Sequence, residues 1–298
     1  MIVVAGESLI DLVPQGPGEP LPALLPRPGG GPYNTAVALG RLGARAAFCS
    51  RMSTDGFGDA LLAGLGEAGV DTSLVRRGPE PTTLAVASLG ADGSAGYHFY
   101  AQGTADRLFE LPPLLPRAAR AVAFGTCSLV LEPGASAYEE LLRREAGRGL
   151  FTLLDPNVRP GLIPDADAYR KRFRGWLPYV SLLKLSQDDA RWLGGVPEGP
   201  PAVVLTRGAE GLTVFPRAGG EISVPAAEVT VADTIGAGDT VNAALLQGLA
   251  SLGALSSAAL ADLPPDAWRK VLRFAAHAAA VTCSRTGAEP PYAWELHE

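Results

Sequence analysis

The stretch Asp233-Thr234-Ile235-Gly236-Ala237-Gly238-Asp239 (DTIGAGD) decides how the rest of the chain is read. Two acids bracket two glycines and an alanine. A strand-like run, Glu228 to Ala232, precedes it, and helix formers follow from Thr240 to Leu246. Glycines at 236 and 238 let the backbone turn tightly and approach a ligand with no Cβ in the way. With a helix starting near Asp239, the N–H groups of Gly236, Ala237 and Gly238 converge at the positive end of its dipole. Such a spot suits a phosphate or a developing phosphoryl anion. The Asp239 carboxylate placed there can take the proton of an attacking hydroxyl. A bare G-x-G-D would read as a glycine turn with an acid at the helix start. The longer string D-T-x-G-A-G-D-T is far more specific.

Other anion-site signatures are missing. The three lysines, Lys171, Lys184 and Lys270, precede Arg, Leu and Val, so no G-K-[ST] loop exists. The one G-x-G-x-x-G, Gly64 to Gly69, lies late in a helical pattern with no strand before it, which is the wrong context for a dinucleotide fingerprint. The 298 residues suffice for a sizeable core in one large domain or two small ones. Hydrophobic residues make up 47% and charged ones 19%, a globular composition. The net charge of −6 offers no basic footprint for nucleic acid. Cys49, Cys127 and Cys283 are odd in number and far apart, and His98, His277 and His297 are scattered. This spacing indicates neither a disulfide framework nor a zinc site, and the cysteines read as small buried hydrophobes in a reducing compartment. No apolar run reaches the ~18 residues of a membrane span. The N-terminal apolar run lacks a basic n-region and is interrupted by Glu7 and Asp11, so it reads as a first strand, and the expected location is the cytoplasm.

Strand-like and helix-like segments alternate. MIVVAGESLI, ARAAFCSRMS, AVAFGTCSLVL, LFTLLDPN and AVVLTRGAEG read as strands. PYNTAVALGRLG, GDALLAGLGEAG, SAYEELLRREAG and DDARWLGG read as helices. TVFPRAG and EISVPA form a hairpin, and two helices, from about 239 to 252 and 266 to 283, close the chain. The alternation predicts a three-layer α/β/α fold with a mostly parallel sheet. Segments near 12–28 and 82–105 break the rhythm, the second as two strands about a turn at Gly90–Ser94. They read either as a small inserted sheet acting as a lid or as two ordinary surface hairpins.

A second constellation is RPGGGPYNTAVALGRLG, where three glycines run into a helix carrying Asn34 in its first turn. Such a turn brings backbone close to a small polar molecule, and Asn34 offers both donor and acceptor. DPNVRP sets Asp155, Asn157 and Arg159 on alternate positions at a strand's end, where ligands of open α/β sheets gather. Arg159 can fork onto sugar oxygens or a carboxylate. Tyr97 and Phe99 share one face of a strand, and His98 and Tyr100 the other.

Together, GGGPYNTAVALGRLG and DTIGAGDT resemble the two signatures of the ribokinase-like (PfkB) carbohydrate kinases, and the likeness runs from GESLIDL to SRTGAEP. The resemblance implies a single ribokinase-like domain over 1–298 and a sugar kinase using ATP and Mg²⁺, with K⁺ as a further ion. It implies Asp239 as base, Gly236, Ala237 and Gly238 as anion hole, and Asp11, Gly30, Gly31 and Asn34 at the sugar, with Tyr97, Phe99 and Arg159 beside them. KLSQDDA resembles the family's K-x-N-x-x-E near the phosphates, giving Lys184 and Ser186; here Ser186 replaces asparagine and Asp189 replaces glutamate. LTRGAEG resembles the nucleotide loop, giving Thr206, Gly208 and Gly211, and the segment 275–288 resembles the adenine pocket. Backbone carbonyls of Asp233 and Ile235 would hold the monovalent ion. D-x-N-x-R resembles fructokinases and 2-keto-3-deoxygluconate kinases more than ribokinases. With no arginine near Gln102 to meet an acid, fructose is the expected substrate, the keto acid the alternative, and a nucleoside kinase or a sensing module a more distant one. An exposed lid edge would make a homodimer.

Overall fold

The computed structural model describes residues 1–16, 21–89 and 95–296. In chain order the strands are β1 (Ile2–Ala5), β2 (Leu9–Pro14), β3 (Leu24–Gly29), β4 (Ala46–Ser53), β5 (Asp71–Gly78), β6 (Thr83–Leu89), β7 (Ala95–Tyr100), β8 (Ala121–Gly125), β9 (Phe151–Asp155), β10 (Leu182–Ser186), β11 (Ala202–Thr206), β12 (Leu212–Pro216) and β13 (Ile222–Val224). The α-helices are α1 (Gly31–Arg41), α2 (Gly56–Glu67), α3 (Gly134–Gly147), α4 (Ala166–Trp176), α5 (Gln187–Leu193), α6 (Ala237–Ser251), α7 (Ser257–Ala261) and α8 (Pro265–Cys283).

The main sheet has nine strands in the order β13-β12-β11-β10-β9-β8-β1-β4-β5. From β11 to β5 neighbours run parallel, and β12 and β13 add an antiparallel edge. Alternation along the strands divides the core into two layers. Ile2 and Val4 pack with α1, α2, α6 and α8, while Val3 and Ala5 pack with α3, α4 and α5. A strand covered on both faces needs no polar side, which is why these strands read as continuous apolar runs. The expected three-layer α/β/α fold is the one observed.

The segments that broke the rhythm form a second, four-stranded sheet in the order β3-β2-β6-β7. The parallel pairing of β2 with β6 joins them into one sheet, so two independent surface hairpins are excluded. The expected turn at 90–94 lies outside the described residues. MIVVAGESLI, expected as one strand, is two strands in different sheets, separated at Gly6–Ser8. The strand expected from Ala121 to Leu131 ends at Gly125 and turns into a short helix over Thr126–Leu129. The strand-like run Glu228–Ala232 joins neither sheet; its last N–H, on Ala232, donates to the Cys283 carbonyl at 2.8 Å. Strands β5 and β10 and helices α4 and α7 went unexpected. Among the described residues no helix is long and apolar enough to cross a membrane, and the three cysteines are unpaired.

Candidate active site

The sheet order reverses between β1 and β8, and ligands of open α/β sheets bind at the carboxyl end of such a reversal. A cavity of about 320 Å³ lies there, a size that suits a small molecule. The loop after β1 supplies Glu7, β2 supplies Asp11, and the turn into α1 supplies Gly30, Gly31 and Asn34. Tyr97 and Phe99 enter from β7, with ring centroids 6.2 Å apart. Thr126 follows β8, Asn157 and Arg159 follow β9, and Lys184 stands on β10. Ile235, Gly236, Gly238 and Asp239 close the wall.

Helix α6 starts at Ala237, two residues before the expected position, with Gly236 as its N-cap in the left-handed region at φ 77°. A Cβ on Gly236 would stand 2.6 Å from that of Ala288, so a larger residue fits neither the conformation nor the space. Asp239 therefore sits in the first turn of α6. Its Oδ2 accepts from Asn34 Nδ2 at 2.9 Å, tying α1 to α6. Burial pushes its carboxyl up to about 6; the Asn34 hydrogen bond opposes this and the Asp155 charge adds to it. A carboxyl in that range is a competent base near neutral pH. The expected three-amide anion hole needs one correction. Ala237 N–H is turned to the Thr234 carbonyl at 3.3 Å, whereas among the described residues the N–H groups of Gly236 and Gly238 have no acceptor. The hole offered is these two amides plus the Lys184 ammonium, which lies 3.0 Å from where a Cβ on Gly238 would stand. Burial works against that ammonium, but Asp155 beside it holds it above its ordinary value.

Burial likewise lifts Asp11 to about 6, with Arg159 opposing, and Glu7 to about 7, against hydrogen bonds from Ser128. Glu7 Oε2 accepts from the Ser128 N–H and Oγ. Arg159 Nη1 is aimed by Asn157 Oδ1 at 2.6 Å and the Asn157 carbonyl at 3.0 Å. Thr126 and Asn157 are the only non-glycine residues with positive φ among those described, at 57° and 39°, and both line this cavity. For a β-branched residue that conformation is strained, and such strain gathers at functional sites.

A second cavity of about 470 Å³ adjoins the first. It takes in Thr206, Gly208, Gly211, Ala237 and Gly238, with apolar walls from Val229, Val241, Ala276, Ala279 and Ala280. Thr234 and Gly238 line both cavities. One polar, acid-lined chamber thus meets one apolar chamber at the free amide of Gly238, with Asp239 beside the junction.

Residues 1–295 match the pfkB family carbohydrate kinase description. The chain belongs to the pfkB family of carbohydrate kinases. It is 36% identical to a fructokinase of Rhizobium leguminosarum bv. trifolii, over 90% of this chain and 86% of that protein. It is 33% identical to the probable fructokinase-3 of Arabidopsis thaliana, over 97% of this chain and 88% of that protein. Among solved structures, the fructokinase of Xylella fastidiosa with bound ATP superposes with a TM-score of 0.89 at 29% identity, covering 99% of this chain and 96% of that one.

Within this pfkB kinase, Ser186 lines neither chamber. Its hydroxyl donates to Asp189 Oδ2 at 2.7 Å and accepts the Asp189 N–H at 3.0 Å, a capping box opening α5. Asp189 is consumed as well. Oδ2 also takes the Ser186 N–H, and Oδ1 takes the Val158 N–H at 2.7 Å. Asp189, where the resemblance implies a glutamate, therefore braces the loop carrying Arg159, with Oδ2 taken up by Ser186 and Oδ1 accepting from Val158. Asp233 uses its side chain on the N–H groups of Ile235 and Gly287, at 3.0 and 2.9 Å. Glu7, Thr126, Thr234 and Asn242 went unread as site residues. The Asn242 signal was legible: a polar residue three after Asp239 in an apolar helix, hence on the same face.

Proposed function

We propose that this chain is an ATP-dependent fructokinase, moving the γ-phosphoryl group of ATP to the 6-hydroxyl of fructose. The observation that carries the reading is the junction, where Gly238 belongs to both chambers and Asp239 stands beside it. Fructose occupies the acid-lined chamber, its hydroxyls donating to Asp11 and accepting from Arg159 and Asn34. The adenine of ATP occupies the apolar chamber, with the nucleotide loop Thr206–Gly211 near its phosphates. The attacking hydroxyl gives its proton to Asp239. The amides of Gly236 and Gly238, with Lys184, meet the charge on the transferring group. Tyr97 and Phe99, carried on the small sheet, cover the sugar and exclude water, so that sheet acts as the lid.

Mg²⁺ travels on the triphosphate in this reading and supplies charge neutralisation there. Among the described residues no cluster of three His, Cys, Asp or Glu side chains forms a cage for it. The carbonyls of Asp233 and Ile235 accept no backbone hydrogen bond among the described residues, which suits a monovalent ion such as K⁺. The reading also places the enzyme in the cytoplasm, as a homodimer paired through the small sheet. A 2-keto-3-deoxygluconate kinase fits less well. Its carboxylate would face Asp11 and Asp239, while Lys184 is engaged by Asp155 and Arg159 by Asn157. The test is ATP turnover with fructose, 2-keto-3-deoxygluconate, ribose and adenosine, with and without K⁺. Fructose-dependent turnover supports the reading; turnover with the keto acid alone replaces the substrate, and none at all refutes the kinase.

A further inference from the structure

Behind Asp239 lies a charged group that no step above uses. Asp155, the last residue of β9, is 3% exposed. Its Oδ2 accepts from Lys184 Nζ at 2.8 Å and from Asn242 Nδ2 at 2.7 Å. Its Oδ1 has no protein partner, and neither has Asn242 Oδ1. Both residues line a cavity of about 10 Å³, room for one water molecule, and Asp239 lines it from another side. A buried carboxylate is costly unless a charge answers it. Here the answering charge is an ammonium whose other neighbour is Gly238 of the anion hole. Lysine is a flexible stem ending in a point charge, so only its partner decides where that charge sits. Asn242, one turn beyond Asp239 on α6, ties the helix bearing the base to the same carboxylate.

We propose that Asp155 is a positioning residue for phosphoryl transfer: it fixes the Lys184 ammonium beneath the Gly238 amide and locks the first turn of α6 against the end of β9. It touches neither substrate. Its charge faces Asp239 across the one-water cavity, and that repulsion favours proton uptake by the base. The charged or polar groups around Asp239 are Asn34 from α1, Asp155 from β9, Arg159 from the following loop and Lys184 from β10. The inference rests on the kinase reading above.

Asp155→Asn keeps the shape and removes the charge. In fructose turnover it should lower kcat by roughly 10–10²-fold, with the fructose KM little changed. In a Lys184→Met background the same change should cost clearly less kcat than it does alone, because the ammonium that Asp155 holds is gone and only its direct repulsion of Asp239 is left. The acid limb of kcat/KM should move to lower pH in Asp155→Asn, since the neighbour opposing ionisation of Asp239 is gone. A merely structural role would lower the melting temperature while leaving that limb and the activity per folded molecule intact, and would overturn the proposal. Losses that multiply in the double variant would overturn it as well. Should Asp155→Asn fail to fold, Asp155→Ser asks the same question with a smaller neutral side chain: the limb should again move to lower pH, and an unmoved limb in the folded variant refutes the coupling. Wild-type protein inert toward every sugar would overturn both readings; an active wild type with independent losses overturns this one alone.

Discussion

Asp239→Asn should inactivate the enzyme and stabilise it at once, and the two effects have one cause. The carboxyl is buried, and burial raises its pKa from the ordinary 3.8 to about 6. A carboxyl that binds its proton more tightly folded than unfolded penalises the fold wherever it must ionise. The penalty is complete above the folded value and fades as pH falls from about 6 toward the unfolded value. The interval is roughly two pH units, and each is worth 1.36 kcal/mol, so the penalty near neutrality is on the order of 2–3 kcal/mol. Asparagine is isosteric and can still accept from Asn34 Nδ2 through its own oxygen, so the substitution removes the charge and little else. Urea unfolding near pH 8 should find the variant more stable by that amount, with a melting temperature roughly 5 °C higher. Near pH 4 the advantage should shrink well below ~1 kcal/mol, because the wild-type carboxyl is then protonated. Fructose turnover should fall by about 10² or more. A variant no more stable than wild type near pH 8 would refute the argument that Asp239 is a desolvated base. A variant equally stabilised at both pH values would refute the electrostatic origin.

The same burial predicts the pH profile of activity. Burial lifts both Asp239 and Asp11 to about 6, so kcat/KM for fructose should fall below pH 6 with a slope steeper than one proton, and Asp11→Asn should make that fall shallower. Asp189→Ala removes the acceptor of Val158 N–H and the capping box, so it should raise the fructose KM by roughly 10-fold through the loosened Arg159 loop. The Mg²⁺ dependence should stay unchanged; a shifted Mg²⁺ requirement with an intact KM would return Asp189 to the phosphates.

What could be read in the sequence were features whose chemistry is local. Two glycines and an acid before a helix announce an anion site because the backbone there has few other uses for them. Buried parallel strands announce themselves as apolar runs. What escaped depends on juxtaposition or mixed signals. Strand β10 carries Lys184 in the middle of LLKLS, and a lysine argues against burial until Asp155 on the neighbouring strand is seen to neutralise it. Edge strand β5, DTSLVRRG, is half exposed and charged, so its period is blurred. Helix α4 was legible. Asp165 caps it, accepting from the N–H groups of Asp167 and Ala168, and Tyr169, Phe173 and Trp176 recur at helical spacing. Thr126 misled for a physical reason. A β-branched residue after five strand residues argues for more strand, yet Thr126 turns left-handed at φ 57°, with Asn157 Nδ2 donating to its hydroxyl at 3.4 Å.

The distribution of charge between the two chambers bears on substrate choice. The sugar chamber holds three carboxyls, Glu7, Asp11 and Asp239, against Arg159 and Lys184. Lys184 is matched by Asp155, so the chamber's balance is negative when the acids ionise. A substrate with its own carboxylate would add to that repulsion, while a neutral polyol brings hydroxyl donors for the acceptors that burial has made expensive. Phosphates bound as proposed would have the opposite need, and the junction offers two amides and an ammonium. The Lys184 charge favours the ionised form of Asp239, and the Asp155 charge opposes it. Asp155 draws the ammonium away from the base and toward the phosphoryl path. One buried carboxylate thereby keeps the proton acceptor and the anion hole apart, though they stand on the same turn of one helix.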